Sequence, residues 1–147
     1  MKIRQLSLFL ENRPGQLRVP CKVLGDAGID ILTMSLADTQ QFGILRLIVE
    51  DWQRARQVLE AAGQVVNVTD LLALDVPDHA GGLASVLEVF ERTGLGVEYM
   101  YAFGLRQRGK SATLLFRLED PEGAQVKLAS AGVALVSAEE LFRRAAA

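Results

Sequence analysis

One cysteine, one histidine and one tryptophan stand among the 147 residues. A lone Cys21 excludes an intrachain disulfide framework and fits a reducing, cytoplasmic location. It also leaves no cluster of thiolate and imidazole ligands, so neither a metal site nor a cofactor is expected. No charge sign dominates. The 16 basic and 18 acidic residues leave a net charge of −2 and no basic stripe, which argues against nucleic acid or an anionic membrane surface as partner. No apolar run approaches the ~20 residues that cross a bilayer. The opening MKIRQLSLFL holds an arginine and no small-residue cleavage site, so no leader is expected. HAGGLASVLE (79–88) has the glycines of a phosphate loop but not the Lys-Ser or Lys-Thr that must follow, and no Gly-x-Gly-x-x-Gly is present. No serine or cysteine comes with a base and an orienting group. The absence of a catalytic constellation argues against an enzyme.

What the chain does have is a repeat. Laying ENRPGQL over PDHAGGL pairs Gly15 with Gly81 and Leu17 with Leu83, an offset of 66. The same offset pairs Ile29 with Leu95, Ile31 with Val97 and Met34 with Met100. Three extra residues near Gln107–Gly109 change the offset to 69, as from Glu50-Asp51 to Glu119-Asp120. Ala55 then falls on Ala124, Leu59 on Leu128 and Gly63 on Gly132. A sustained run of matches with one clean insertion marks two copies of one unit, 1–69 and 70–147.

Each copy shows the same alternation of periods. In the first, Ile3, Gln5, Leu6, Leu8 and Leu10 mark a strand over 3–10. Leu17, Cys21, Leu24 and Ala27 recur at helical spacing over 16–27, ended by Gly25 and Gly28. Strands follow over 29–37 and 42–50, with a turn at Gln40-Gln41, then a helix over 51–63 opened by an aspartate cap, and a short strand over 65–68. The second copy predicts a strand at 71–76, a helix at 82–93, strands at 95–103 and 111–118, a helix at 120–131 and a strand at 133–136. A last helix starts at Ser137 with Glu140 in capping-box position and frays at Ala145–Ala147. Strand–helix–strand–strand–helix–strand, twice, is the ferredoxin-like α+β arrangement, here expected as two antiparallel sheets packed side by side. A unit of about seventy residues is marginal as a lone core. IDILTMSLA and LGVEYMYAF are long, apolar and free of lysine or proline, so at sheet edges they require partners and a homodimer is expected.

The joint between first strand and first helix, Glu11-Asn12-Arg13-Pro14-Gly15, reads either as a plain turn or as a small binding corner. Arg13, preceding proline, is held extended. Pro14 loses no needed donor in an entry turn. Gly15 lets a ligand approach its amide. Helix amides aimed into the corner suit a carboxylate, and the Asn12 carbonyl can accept from an ammonium group. Together these describe an α-amino acid. Pro20, inside the helix pattern, either kinks the helix or delays its start to Arg18.

This order of elements, with ENRPGQL at the first joint, resembles a pair of ACT domains, small regulatory modules that bind amino acids. The first copy is also similar to the ACT domain of the acetolactate synthase regulatory small subunit. The rest of the chain reads as a second ACT unit, so that enzyme partnership is not carried over. The resemblance implies a ligand held between one unit's first loop and the second strand of a neighbouring unit. The implied ligand contacts are Glu11, Asn12, Arg13, Pro14, Gly15 and Leu17 in the first loop. In the second loop they are Asp78, His79, Ala80, Gly81, Gly82 and Leu83. Asp30, Ile31, Gly96 and Val97 stand at the facing strand starts. The second loop departs from the first, with Asp78 for Asn12, His79 for Arg13 and Ala80 for Pro14.

Other residues have quieter readings. His79 is either solvated or a pH-sensitive ligand contact. Cys21 and Trp52 read as packing residues. Tyr99, Tyr101 and Phe103 share one strand face, with Met100 on the other, and serve either inter-unit packing or ligand specificity. The function expected is non-enzymatic: a regulatory sensor that binds a small amino acid at unit interfaces and acts on a metabolic enzyme. The rivals are a ligand-free module that dimerises or docks on such an enzyme, and a small enzyme of the same fold.

Overall fold

The structure is a computed structural model and describes residues 2–38, 41–107 and 111–146. Its elements are β1 (Ile3–Glu11), α1 (Arg18–Asp26), β2 (Thr33–Asp38), β3 (Phe42–Ile48), α2 (Trp52–Ala61), β4 (Val66–Pro77), α3 (Gly82–Thr93), β5 (Val97–Gln107), β6 (Ser111–Leu118), α4 (Pro121–Ser130), β7 (Leu135–Val136) and α5 (Ala138–Ala146). The chain divides into two compact units, Arg4–Thr69 and Asp70–Ala147, the latter joined by Met1–Ile3. Gln40 of the expected turn lies outside the described residues, as do Arg108 and Gly109 of the insertion and Ala147 of the expected fraying end.

In the first unit β3 runs antiparallel to both β1 and β2. Leu6, Leu8 and Leu10 of β1 alternate onto one face with Leu45 and Leu47 of β3, and Leu24 of α1 and Ala55 and Leu59 of α2 close over them. In the second unit β6 runs antiparallel to both β4 and β5, and β7 flanks β4. Its core repeats the first position by position: Leu72, Leu74 and Val76 beneath Phe90, Ala124 and Leu128. Both units are therefore ferredoxin-like. Phe90 and Phe116 meet edge to face, 5.1 Å between centroids.

Four elements differ from the sequence expectation. β2 begins at Thr33 rather than Ile29, residues 29–32 forming the lead-in from α1, with Leu32 N donating to Ile48 O at 2.9 Å. α1 begins at Arg18 rather than Gln16. A helix begun at Gln16 would need the Pro20 N–H for its fifth residue. Begun at Arg18, it places Pro20 in the first turn, where no donor is used. Pro20 is buried, at the core position that Val86 holds in α3. The strands expected at 65–68 and 71–76 are one strand, β4, running through Thr69-Asp70. The Asp70 carbonyl accepts from Arg117 Nη1 at 3.1 Å, and its carboxylate lies 3.6 Å from Lys2 Nζ. β5 continues past Phe103 to Gln107, with a register shift against β6 between Ala102 and Arg106, where Gly104 takes φ +85°. Trp52 packs against the first core beneath the Arg4 guanidinium, and Cys21 is half-buried. Phe103 is buried and Met100 packs against the second core.

α5 lies on the sheet face opposite α3 and α4. Asp75 and Thr113 are paired across β4 and β6 and point away from the Leu72–Leu74–Val76 core. Arg144 of α5 forms a two-pronged bond to Asp75, Nη1–Oδ1 2.9 Å and Nη2–Oδ2 3.0 Å, and Thr113 Oγ1 donates to Asp75 Oδ1 at 2.9 Å. Leu141 is fully buried. Ser137 caps the helix, accepting from Glu140 N at 3.1 Å. Glu140 binds Arg143 and Arg144, and those hydrogen bonds lower its pKa from 4.5 to about 2. A lowered folded-state pKa adds stability that is present above 4.5 and is lost as pH falls through about 2. We expect Glu140→Gln to weaken amide-exchange protection in α5 at neutral pH. The gap from wild type should close between these two pH values. A gap that stays constant down to pH 2 would show that the Glu140 charge does not hold the helix.

Candidate functional site

The first joint is ordered by its own backbone. Asn12 N donates to Gln41 O at 3.0 Å, Arg13 N to Glu11 O at 2.8 Å, and Gln16 N to Arg13 O at 3.2 Å. Gly15 takes φ +89°, a left-handed conformation that needs glycine. Glu11 and Arg13 form an exposed ion pair at the rim. Beside them is a pocket of about 90 Å³ lined by Leu10, Glu11, Asn12, Arg13, Leu17, Leu36 and Gly43. Register explains the grouping. Glu11 stands opposite Phe42 on β3, and Gly43 stands opposite Asp38 at the end of β2. Gly43 makes the space, since a Cβ there would come within 3.1 Å of Leu36 Cδ1.

Glu11, Asn12, Arg13 and Leu17 therefore line one pocket, with Pro14 and Gly15 in the turn between them. The sequence reading missed Leu10, Leu36 and Gly43. Alternation in IDILTMSLA puts Leu36 on the Met34 face, but the pairing that brings Gly43 beneath it is a matter of register. Asp30 and Ile31 lie elsewhere. They precede Thr33, which pairs with Ile48 at the far end of β2, and Ile31 packs against the core. A single unit thus does not bring the loop and the strand start together.

The second joint repeats the turn of the first but enters its helix two residues sooner, at Gly82, the counterpart of Gln16, and is more tightly packed. Gly81 takes φ +87° as the cap of α3. Gly82 N donates to His79 O at 3.0 Å, and Ser85 Oγ donates to Gly81 O at 3.1 Å. Exposed His79 places Nδ1 2.9 Å from Ala80 O, where the Nδ1–H tautomer donates. Asp78 and Leu83 are exposed. Gly82 is buried against β4: a Cβ there would lie 1.9 Å from the Pro77 carbonyl oxygen. Its glycine is thus required by packing. Gly96 and Val97 stand at the other end of the unit, Val97 pairing with Leu118 while Pro77 pairs with Ser111.

Among the described residues no group of three or more His, Cys, Asp or Glu side chains could hold a metal ion, and no helix is long and apolar enough to cross a membrane.

Two repeats of this fold, each with a glycine-turned loop at its first joint, match a known family. Residues 1–144 match the family model for an ACT domain pair. The chain belongs to the ACT domain pair family. Among solved structures it is similar to protein BT0572 from Bacteroides thetaiotaomicron, with 32% identity, TM-score 0.88, and coverage of 97% of this chain and 96% of that one. It is also similar in fold to the regulatory subunit of aspartate kinase from Thermus thermophilus in its ligand-free form, at 15% identity and TM-score 0.62, covering 89% of this chain and 93% of that one. The corresponding subunit from Thermus flavus gives 15% identity and TM-score 0.60, with 97% and 94% covered. No curated protein gives a significant match.

The close fit of Gly82 to Pro77 has a measurable consequence. We expect Gly82→Ala to lower unfolding stability by about 1–3 kcal/mol, the usual range for forcing a methyl group into filled space. Denaturant titration checks this. A loss under about 0.5 kcal/mol, the scale of a neutral surface change, would show that the joint has slack.

Proposed function

We propose that this chain is a non-enzymatic regulatory protein that binds a small amino acid at the first strand–helix joint. Membership of the ACT domain pair family supports a regulatory role. The observation that carries the ligand reading is the pocket at Leu10–Arg13, Leu17, Leu36 and Gly43, which sets charges of both signs at its mouth. Arg13 offers donors to a carboxylate, while Glu11 and the Asn12 side-chain carbonyl accept from an ammonium group. A zwitterion satisfies both sets at once, in exchange for the Glu11–Arg13 pair. The apolar floor of Leu10, Leu17 and Leu36 suits a short side chain. The second joint shares the glycine turn of the first but replaces Asn12 and Arg13 with Asp78 and His79, so the two bind with different affinity.

The site is completed by a second unit. Among the described residues β2 pairs along one side only, with β3, and Met34 and Leu36 on that edge are exposed. An unpaired apolar edge beside a half-open pocket is the place for another unit to supply the far wall. A ligand touching both units favours the arrangement in which both are engaged, and so shifts an interface equilibrium in a regulated metabolic enzyme. We expect a homodimer in solution. Light scattering that returns the single-chain mass of 16.0 kDa at micromolar concentration, with and without ligand, would overturn the shared-site arrangement.

The ligand itself is sought by thermal shift against the twenty amino acids. Ligand at ~100 times its dissociation constant adds about 2.7 kcal/mol, which for a chain of this size raises Tm by roughly 5–10 °C. With the best ligand, Asn12→Ala should weaken binding by about 10- to 150-fold, the value of a hydrogen bond to a charged group. It should change stability by less than about 1 kcal/mol, as an exposed loop substitution does. Flat melting curves across the panel, confirmed by calorimetry, favour the ligand-free docking module instead.

A further inference from the structure

The two repeats part company at the corner where each unit's first helix ends and its second begins. The backbone there is the same in both. Gly28 N donates to Gly25 O and Ile29 N to Leu24 O at the end of α1, as Gly94 N does to Glu91 O and Leu95 N to Phe90 O at the end of α3. Asp51 caps α2 by accepting from Arg54 N at 3.1 Å, and Asp120 caps α4 by accepting from Gly123 N at 3.1 Å.

The side chains are not the same. In the first unit Arg54 reaches from α2 to the end of α1, where its Nη2 donates to Ala27 O at 2.5 Å. A guanidinium at a helix C-terminus satisfies carbonyls that the helix cannot, and it sits at the negative end of the helix dipole. In the second unit the counterpart of Arg54 is Gly123, and that of Asp30 is Gly96. With both side chains gone, a cavity of about 510 Å³ opens. It is walled by Gly94, Gly96, Glu119, Asp120, Gly123 and Lys127, above buried Leu118 and Ala124. Thr93 O, the counterpart of Ala27 O, receives Lys127 Nζ at 3.4 Å, a long contact from an exposed flexible side chain.

We propose that this cavity binds a guanidinium group carried by another molecule, which takes the place Arg54 takes in the first unit. The chemistry of the walls fits. Two carboxylates, Glu119 and Asp120, face one ammonium, Lys127, so the site stays negative. The planar fork of a guanidinium can grip a wall carboxylate with two parallel bonds, which a single ammonium does less well. The apolar floor takes the methylene chain that carries the group. The volume lies in the range of small-molecule sites, about 300–1,000 Å³. The position is distinct from the strand–helix joints: Gly96 and Val97 are at the opposite end of the unit from Asp78–Leu83.

The test is calorimetric titration of the full chain with agmatine and, separately, with the peptide Gly-Arg-Gly. Agmatine has a guanidinium but no carboxylate, so it lacks the zwitterion that the joints are built to hold. We expect one agmatine per chain. Gly123→Arg supplies in the second unit the side chain Arg54 supplies in the first, and should weaken agmatine at least about tenfold. The Asp120 carboxylate has to turn aside for it, since Oδ2 lies 2.3 Å from a Cβ at that position. Glu119→Lys, an exposed change that spares the helix cap, should act in the same direction and guards against a folding defect in the first variant. Asn12→Ala should leave agmatine binding unchanged. Binding of the peptide but not agmatine, weakened by Glu119→Lys and untouched by Asn12→Ala, supports a guanidinium site filled by a partner protein's arginine; peptide binding weakened by Asn12→Ala alone overturns it. No heat from either probe at millimolar concentration, or an agmatine affinity untouched by both cavity variants, overturns the proposal.

Discussion

The antiparallel ladder between β1 and β3, and its copy between β4 and β6, is the constraint on which the rest of this molecule depends. Leu6 stands opposite Leu47, Leu8 opposite Leu45 and Leu10 opposite Gly43. In the second unit Leu72 stands opposite Phe116, Leu74 opposite Leu114 and Val76 opposite Ala112. A slip of one residue would turn every one of these side chains to the other face, so burial under two helices fixes the register. Register then fixes the joint. It sets Glu11 against Phe42 and brings the side-chain-free Gly43 next to Leu36, and the small pocket is the space that results. The pocket at the joint is thus a by-product of core packing two residues away.

The faces turned away from the two helices show how a duplicated unit diverges once its core is set. Asp75 and Thr113 are paired in the second unit, and their counterparts in the first, by the two offsets of the repeat, are Phe9 and Ile44. Asp75 and Arg144 are each only 19% exposed, and a pair so buried is tolerated because both prongs of the guanidinium are used and Thr113 adds a third bond. Such a pair adds little net stability over an apolar contact, but it accepts one geometry only. It therefore serves to seat α5 in one position. In the first unit the same places carry apolar side chains, and Phe9 is 64% exposed.

Much of this was legible in the sequence, because two copies report on one another. The limits of α3 fall where the pattern of GLASVLEVFERT puts them, since a left-handed glycine flanks each end. The ambiguous start of α1 was resolved by a rule already visible in Pro20. Other features lay beyond a local reading. Thr69-Asp70 separates the two expected strands, but β4 runs through it, and Arg117, distant in sequence, bonds the Asp70 carbonyl there. That position 82 must be glycine shows only when β4 is seen to bring the Pro77 carbonyl against it. What Gly123 leaves out of the second unit shows only when Arg54 is seen bonded to Ala27 in the first. In each case the deciding neighbour belongs to another element, and alternation or spacing along one element carries no record of it.

The two joints share an idea with that last comparison. Gly15 and Gly81 have φ values of +89° and +87°, although the residues before them are Pro14 and Ala80. The turn thus needs its glycine and does not need its proline. Proline can only restrict the unfolded chain there, while glycine alone permits the folded conformation. A loop whose shape rests on backbone leaves its remaining side chains free to change without loss of fold. Asn12 and Arg13 can become Asp78 and His79, and the chemistry presented at the joint changes while the left-handed turn does not. The same logic holds at the corner between helices, where the Schellman-type end of α1 and α3 is identical and only the side chain crossing it differs. Duplication of such a unit multiplies positions at which chemistry can vary independently, because the constraint that holds each position sits in the main chain beneath it.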